Sequence, residues 1–97
     1  MKKKELEYEL DSITEVLSVI NSKDRILDFL LDLMTEKEML EFWRRFEVAK
    51  MLDQGISYTR IEKKTWMSST TIARISKALK WDNMGYMNAL NIIKWEY

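Results

Sequence analysis

The 97-residue chain contains no cysteine and no histidine. Their absence excludes disulfides, thiolate or imidazole metal sites, and catalytic arrangements that pair a nucleophile with histidine. Carboxylates alone can hold a hard cation, but no spacing of them indicates a metal site. A chain without cysteine is consistent with a reducing compartment. The sequence therefore favours a cytoplasmic protein that is not an enzyme and has no cofactor.

Proline is also absent, and there are only two glycines. No stretch approaches the roughly 18 consecutive apolar residues of a membrane span, so we expect no membrane association. Nothing alternates with the period of two that a half-buried strand requires. Apolar residues instead recur at steps of three and four, which is typical of amphipathic helices. The fold class predicted is all-α, with six helices in a single domain that spans residues 1–97.

The apolar pattern also indicates where the first three helices lie. A first helix carries an apolar stripe from Leu6 to Ile20, and a second short helix carries one from Ile26 to Met34. Thr35 and Glu38 then form a capping-box pattern at the start of a long third helix. We expect its inward face to contain Met39, Phe42, Trp43, Phe46, Ala49 and Leu52, with Trp43 and Phe46 in the core or a dimer interface. Gly55 suits the left-handed position after this helix.

Two further helices form a helix-turn-helix pattern at about residues 58–81. The first is predicted near Tyr58–Thr65 and the second near Ser69–Trp81, and a last helix is predicted near Tyr86–Trp95. A helix-turn-helix crosses two helices steeply over a short turn, so that its inward positions are few. These positions are Ile61, Met67, Ile72 and Ile75, and all four are apolar. Ser68 is a suitable N-cap for the second helix, with Thr71 at its N3 position.

Charge is distributed unevenly along a chain whose net charge is zero. Residues 1–54 carry nine Lys and Arg against thirteen Asp and Glu, a net of −4, whereas residues 55–97 carry seven against three, a net of +4. A local basic patch is the pattern expected for binding to a polyanion.

The basic patch coincides with the outward arc of the second helix, which is typical of a recognition helix in a major groove. We expect Arg74 to contact guanine and the lysines to contact phosphates. The predicted DNA-binding residues are Lys63, Lys64, Ser68, Ser69, Thr70, Thr71, Ala73, Arg74, Lys77 and Lys80.

Two alternatives stand beside this interpretation. The polar arc is also compatible with an ordinary solvated helix, or with a helical protein-interaction module that does not bind DNA specifically.

Trp66 occupies a turn position that favours glycine, because a left-handed conformation costs a bulky residue on the order of 1 kcal/mol or more. Either the turn adopts another conformation, or packing of the indole offsets the strain.

From Met34 to Lys80 the chain resembles the Trp repressor superfamily, and it is similar in particular to the YerC/YecD-type TrpR-related branch. The resemblance rests on "LMTEKEMLEFWRRFEVAKMLDQGISYTRIEKKT", on "SSTTIARISKALK" and on "GYMNAL" near the C-terminus. It implies a six-helix fold and an intertwined homodimer that binds double-stranded DNA. It also implies two recognition helices in successive major grooves, and hence a roughly palindromic operator with half-sites about one helical turn apart.

The resemblance further implies a pocket for a small-molecule effector. The repressor holds tryptophan between two arginines, which correspond to Arg45 and Arg74, and a threonine at the pocket mouth corresponds to Thr35. However, its glycine and serine correspond to Ile75 and Ala78. We therefore hypothesise that the chain does not bind free tryptophan in this manner, and the effector is not identified. Ile75 is either a built-in apolar contact that leaves the protein constitutively competent or an ordinary core residue.

Overall fold

The computed structural model describes residues 2–81 and 83–96. Within these ranges the chain is all-α, as predicted, and forms no strand. It divides into two compact units, Met1–Met39 and Leu40–Tyr97. None of the described helices is both long enough and apolar enough to cross a membrane. The helices are α1 (Lys3–Glu9), α2 (Asp11–Val19), α3 (Lys23–Leu33), α4 (Glu36–Asp53), α5 (Tyr58–Thr65), α6 (Ser69–Trp81) and α7 (Gly85–Glu96).

The described residues form seven helices, not six, because the predicted first helix bends at Leu10 and is divided into α1 and α2. Leu10 has φ −97° and ψ 7°, outside the helical range. The Thr14 hydroxyl donates a hydrogen bond to the Leu10 carbonyl at 3.1 Å and another to the Asp11 carbonyl at 3.0 Å. Such bonds from a threonine to the preceding turn often bend helices. The apolar stripe alone did not reveal this bend.

The first unit has apolar faces but no enclosed core. Ser22 caps α3 by accepting a hydrogen bond from the Arg25 backbone N–H at 3.3 Å. No residue of α1, α2 or α3 is buried. The large apolar side chains that remain exposed in these helices are Leu6, Tyr8, Val16, Leu17, Val19, Leu27, Leu31 and Leu33.

The capping box predicted at the start of α4 is confirmed. The Thr35 backbone N–H donates to Glu38 Oε1 at 2.8 Å, and the Glu38 backbone N–H donates to Thr35 Oγ1 at 3.2 Å. These hydrogen bonds from Thr35 stabilise the carboxylate, so the pKa of Glu38 lies below its ordinary value. Two of the N–H groups that a helix start leaves without partners are satisfied in this way.

Gly55 ends α4 in the left-handed conformation, with φ +76°. Its N–H donates to the Leu52 carbonyl at 3.0 Å, and the Ile56 N–H donates to the Met51 carbonyl at 3.0 Å. This pair of bonds is a Schellman motif, and Ile56 then packs against the core beside Met51. The predicted position of Gly55 is therefore confirmed, and the motif directs the chain into α5.

The core of the second unit lies between the end of α4 and the helix pair α5 and α6. Its buried side chains are Val48, Ala49, Met51, Ile61, Met67, Ile72 and Ile75. The predicted inward face of α4 is correct at Ala49 but wrong for Phe42 and Trp43 as core residues of this chain, because these are 55% and 53% exposed. The core covers only the C-terminal half of α4, where Val48 and Met51 project.

Candidate nucleic-acid interface

The α5 and α6 helices form the helix-turn-helix that the sequence predicts. The α5 helix ends at Thr65, α6 begins at Ser69, and three residues connect them. All four predicted inward residues are buried: Ile61 and Ile72 are 0% exposed, Ile75 is 5% exposed and Met67 is 8% exposed. Their burial fixes the rotation of both helices about their axes, and so determines which side of α6 faces solvent.

Thr65 organises the turn and was missed by sequence reasoning. Its side chain is buried, and its hydroxyl donates to the Ile61 carbonyl at 2.7 Å while it accepts from the Met67 N–H at 3.3 Å. The Trp66 N–H donates to the Glu62 carbonyl at 2.9 Å. A buried polar group must be hydrogen-bonded to avoid a large desolvation penalty. The sequence signal was a hydroxyl four residues after an inward-facing isoleucine.

Ser68 caps α6 as predicted. Its Oγ accepts from the Thr71 N–H at 3.2 Å and donates to Thr71 Oγ1 at 3.0 Å. The Ile72 N–H donates to the Ser68 carbonyl at 3.0 Å. Ser68 is exposed and Thr71 is half-buried. These bonds define the first turn of α6.

Trp66 adopts the left-handed conformation, with φ 63° and ψ 19°, so the turn is not distorted to avoid it. Its side chain is 86% exposed. The expectation that packing of the indole within the chain offsets the strain is therefore wrong. The turn keeps its geometry because the bonds of Thr65 and the burial of Met67 hold it on either side of Trp66.

Replacing Trp66 with glycine is expected to raise the free energy of unfolding by about 1 kcal/mol, because glycine adopts this conformation without steric cost. Thermal unfolding at a fixed protein concentration measures the change. Trp66→Ala is the matched control, since it removes the indole but keeps the Cβ atom, and it should not stabilise the protein. A glycine variant less stable than the original protein would show that the indole is packed.

The solvent-facing side of α6 carries residues that the sequence predicts to bind DNA. Its small polar residues lie near the N-terminus and its cations lie further along. Among the described residues, ion pairs occur elsewhere, and none involves a cation of this face. The exposed residues of the predicted set are Lys63, Lys64, Ser68, Ser69, Thr70, Ala73, Arg74, Lys77 and Lys80.

Two of the three residues of the predicted effector pocket line a single cleft. Arg45 and Arg74 line one cleft of 330 Å³ between α4 and α6, and Ile75 and Ala78 form part of its wall. Arg45 also pairs with Glu41 at 3.8 Å. Ile75 belongs to the buried core, as the plainer interpretation of that residue requires. Thr35 lies in the first unit, where it caps α4.

Tyr86 lines the same cleft and was not among the predicted site residues. It lies in the first turn of α7 and packs against the core. Burial raises the pKa of its phenol, although the nearby charge of Arg45 acts in the opposite direction. The phenol is therefore neutral near pH 7. The "GYMNAL" segment contributes only to the family resemblance, because nothing local in the sequence places its tyrosine beside α6.

Comparisons with known proteins give matches over most of the chain. A model of the Trp repressor protein family matches residues 8–94. The chain is 34% identical over 86 residues to the uncharacterized protein YerC of Bacillus subtilis strain 168. The aligned residues cover 89% of this chain and 83% of that protein.

Two crystal structures share the fold. One is a candidate Trp repressor from Staphylococcus aureus, with a TM-score of 0.86, 29% identity and coverage of 97% of this chain and 95% of that one. The other is a TrpR-like protein from Eubacterium eligens ATCC 27750, with a TM-score of 0.82, 31% identity and 90% coverage of each chain. The likeness extends over nearly the whole chain in both structures.

Proposed function

The chain belongs to the Trp repressor family, and from this premise we propose that it is a sequence-specific DNA-binding regulator, a repressor, that acts as a homodimer through α5 and α6. One observation carries the proposal. The buried isoleucines of α6 anchor one side of the helix, and its other side presents small polar groups and unpaired cations among the described residues. Such a protein works in the cytoplasm, because that is where bacterial DNA lies.

Side chains on the first turns of α6 are proposed to read bases. Ser69, Thr70 and Ala73 are short, so they allow the helix to approach the floor of a major groove. Arg74 is long enough to form a bidentate contact with guanine, which contributes roughly 1–3 kcal/mol of discrimination. The lysines of α5 and α6 contact phosphates and make the affinity depend on salt rather than on base sequence.

The exposed apolar faces support the homodimer. The first unit buries no side chain of α1–α3, and isolated helices of this length are marginal in water. Phe42 and Trp43 are further exposed apolar side chains, on the first half of α4. A second copy supplies matching apolar faces, and closed two-fold association is the commonest way for a small domain to complete its core. A dimer also provides the two recognition helices that a palindromic operator requires.

A helical protein-interaction module is the second candidate. The observation that favours it is the indole of Trp66, which is 86% exposed on the turn before α6. Exposed tryptophan is enriched among the residues that anchor protein partners. In this case loss of Arg74 and Lys77 would weaken a protein complex and leave DNA binding unaffected.

The test of DNA binding is selection from a pool of randomised duplexes. We expect the original protein to recover one palindromic motif, whereas the Arg74→Ala/Lys77→Ala variant should lose the motif and bind it at least about tenfold more weakly. Each lost phosphate contact should reduce the slope of log affinity against log salt by about 1.

Arg25→Ala/Lys37→Ala is the matched control, because it removes the same charge from exposed positions outside the helix-turn-helix. It should recover the same motif with unchanged affinity. Equal weakening by both double variants would indicate sequence-blind attraction to DNA. Failure of the original protein to enrich any motif, with or without cell extract, would contradict the proposed function.

A further inference from the structure

Trp66, in the turn between α5 and α6, holds a strained conformation that packing within the chain does not offset. Its backbone has φ 63° and ψ 19°, a left-handed geometry that is sterically unfavourable for a bulky residue. Its side chain is 86% exposed, and among the described residues no large apolar side chain is more exposed. A single exposed apolar residue is common on a protein surface, but backbone strain of this kind concentrates at functional sites.

Hydrogen bonds on both sides of Trp66 fix the direction of its Cα–Cβ bond. The Trp66 N–H donates to the Glu62 carbonyl at 2.9 Å, and the Met67 N–H donates to Thr65 Oγ1 at 3.3 Å. The Met67 side chain is buried, which anchors the residue that follows the indole. A group held in this way loses less conformational freedom on binding than a group on a mobile loop. The indole is therefore preorganised for contact with a partner.

The surface around the indole is positively charged. Lys63 and Lys64 lie in the last turn of α5 and are exposed, and neither forms an ion pair within the described part of the chain. Residues 57–81 contain six Lys and Arg but only one acidic residue, Glu62. Charge complementarity therefore favours a polyanion, rather than an apolar protein surface, as the partner that covers the indole.

Trp66 also lies next to the proposed base-reading end of α6. It precedes Ser69, the first residue of that helix, by three positions, and the first turns of a recognition helix meet base edges in the major groove. The apolar group that a base exposes in this groove is the C5-methyl of thymine. Insertion of the ring between paired bases would instead require them to unstack, which is energetically costly. The thymine methyl is thus the group in duplex DNA that best suits an exposed indole at this position.

We propose that Trp66 is a specificity-determining residue, and that its indole packs against the methyl group of one thymine in each half-site of the operator. The proposal rests on the proposed function and adds a residue outside α6 to those that read bases. Lys63 and Lys64 then contact phosphates beside that thymine. Burial of the indole against DNA offsets the strain of the turn, which a glycine at this position would avoid.

The experiment removes methyl groups from the selected operator by replacing thymine with deoxyuridine, at one pair of equivalent positions in the two half-sites at a time. We expect one pair at which this change weakens binding of the original protein at least about fivefold, since two apolar contacts are lost. Trp66→Ala should bind the unmodified operator at least about tenfold more weakly than the original protein. The same deoxyuridine change should affect this variant less than about twofold, because the partner of the methyl group is already absent.

Trp66→Gly separates this role from a structural one. The glycine variant is expected to be more stable than the original protein, yet it should bind the operator as weakly as Trp66→Ala. Trp81→Ala is the matched control, because it removes an indole that is 76% exposed at the other end of α6, about 18 Å away along the helix. It should keep the deoxyuridine effect and stay within about twofold of the original affinity.

Two results would overturn the inference while leaving the proposed function intact. One is a selected motif at which methyl removal has the same effect with and without the indole, or which contains no thymine. The other is a Trp66→Ala variant that binds the operator as tightly as the original protein, in which case the indole is left for a protein partner. If the original protein selects no motif at all, the proposed function fails and the thymine contact fails with it.

Discussion

Replacing Ile72 with alanine is expected to lower the free energy of unfolding by about 2–5 kcal/mol, which is a large part of the stability of a domain of this size. Ile72 is 0% exposed and contributes to the core between α4, α5 and α6. Its removal costs the transfer free energy of three carbon atoms and leaves a cavity that the rigid helix pair cannot fill. Urea or thermal unfolding at a fixed protein concentration measures the loss.

Ile92→Ala is the matched control, because the same atoms are removed from a side chain of α7 that is 60% exposed. It should change the free energy of unfolding by no more than about 0.5 kcal/mol. Operator affinity should fall for Ile72→Ala even at temperatures where the variant is folded, since α6 is less firmly seated. A loss below about 1 kcal/mol at Ile72 would show that the helix pair repacks and that its core is not the rigid support inferred here.

The double substitution Leu27→Glu/Leu31→Glu is expected to convert the proposed dimer into a monomer. Both leucines are about half exposed within the chain, at 49% and 56%. Burying two carboxylates in an interface without partners is strongly unfavourable. In sedimentation experiments the original protein should have about twice the 11.7 kDa mass of one chain. The variant should have the mass of a single chain. Operator affinity should fall at least about 100-fold, because the second half-site is no longer bound by the same particle.

Asp28→Lys is the control, because it changes the charge of the same helix at another exposed position. Asp28 lies among the polar residues of α3. It should remain dimeric. Retention of the dimer in the double variant, or a monomeric original protein, would contradict the homodimer and require another explanation for the exposed faces of α1–α3.

The local features of the fold were the ones that the sequence predicted well. The end of α4 and the start of α6 agree with expectation because caps and left-handed stops are formed by neighbouring residues, as at Gly55 and Ser68. The burial of Ile61 and Ile72 followed from helical periodicity, since the two faces of a helix in a small domain have opposite environments. The bend at Leu10 was missed because it depends on hydroxyl bonds of Thr14, which alter a helix without altering its apolar stripe.

The candidate site was predicted less completely than the fold. The exposed face of α6 could be read from its polar arc, and its cations are exposed as expected. Phe42 and Trp43 could not be placed, because an apolar residue at helical spacing is equally suited to a core and to an interface. Tyr86 gave no local signal at all, since its partners Arg45 and Ile75 are distant along the chain.

By itself, the sequence determined the all-α class, the helix-turn-helix with its four inward residues, and the basic face that accompanies it. These features depend on spacing, capping and composition, all of which act over a few residues. Only the tertiary structure decided that the indole of Trp66 is exposed and that Tyr86 lines one cleft together with Arg45 and Arg74. Both outcomes depend on how the helices of the second unit pack, and packing is determined by contacts between residues far apart in the chain.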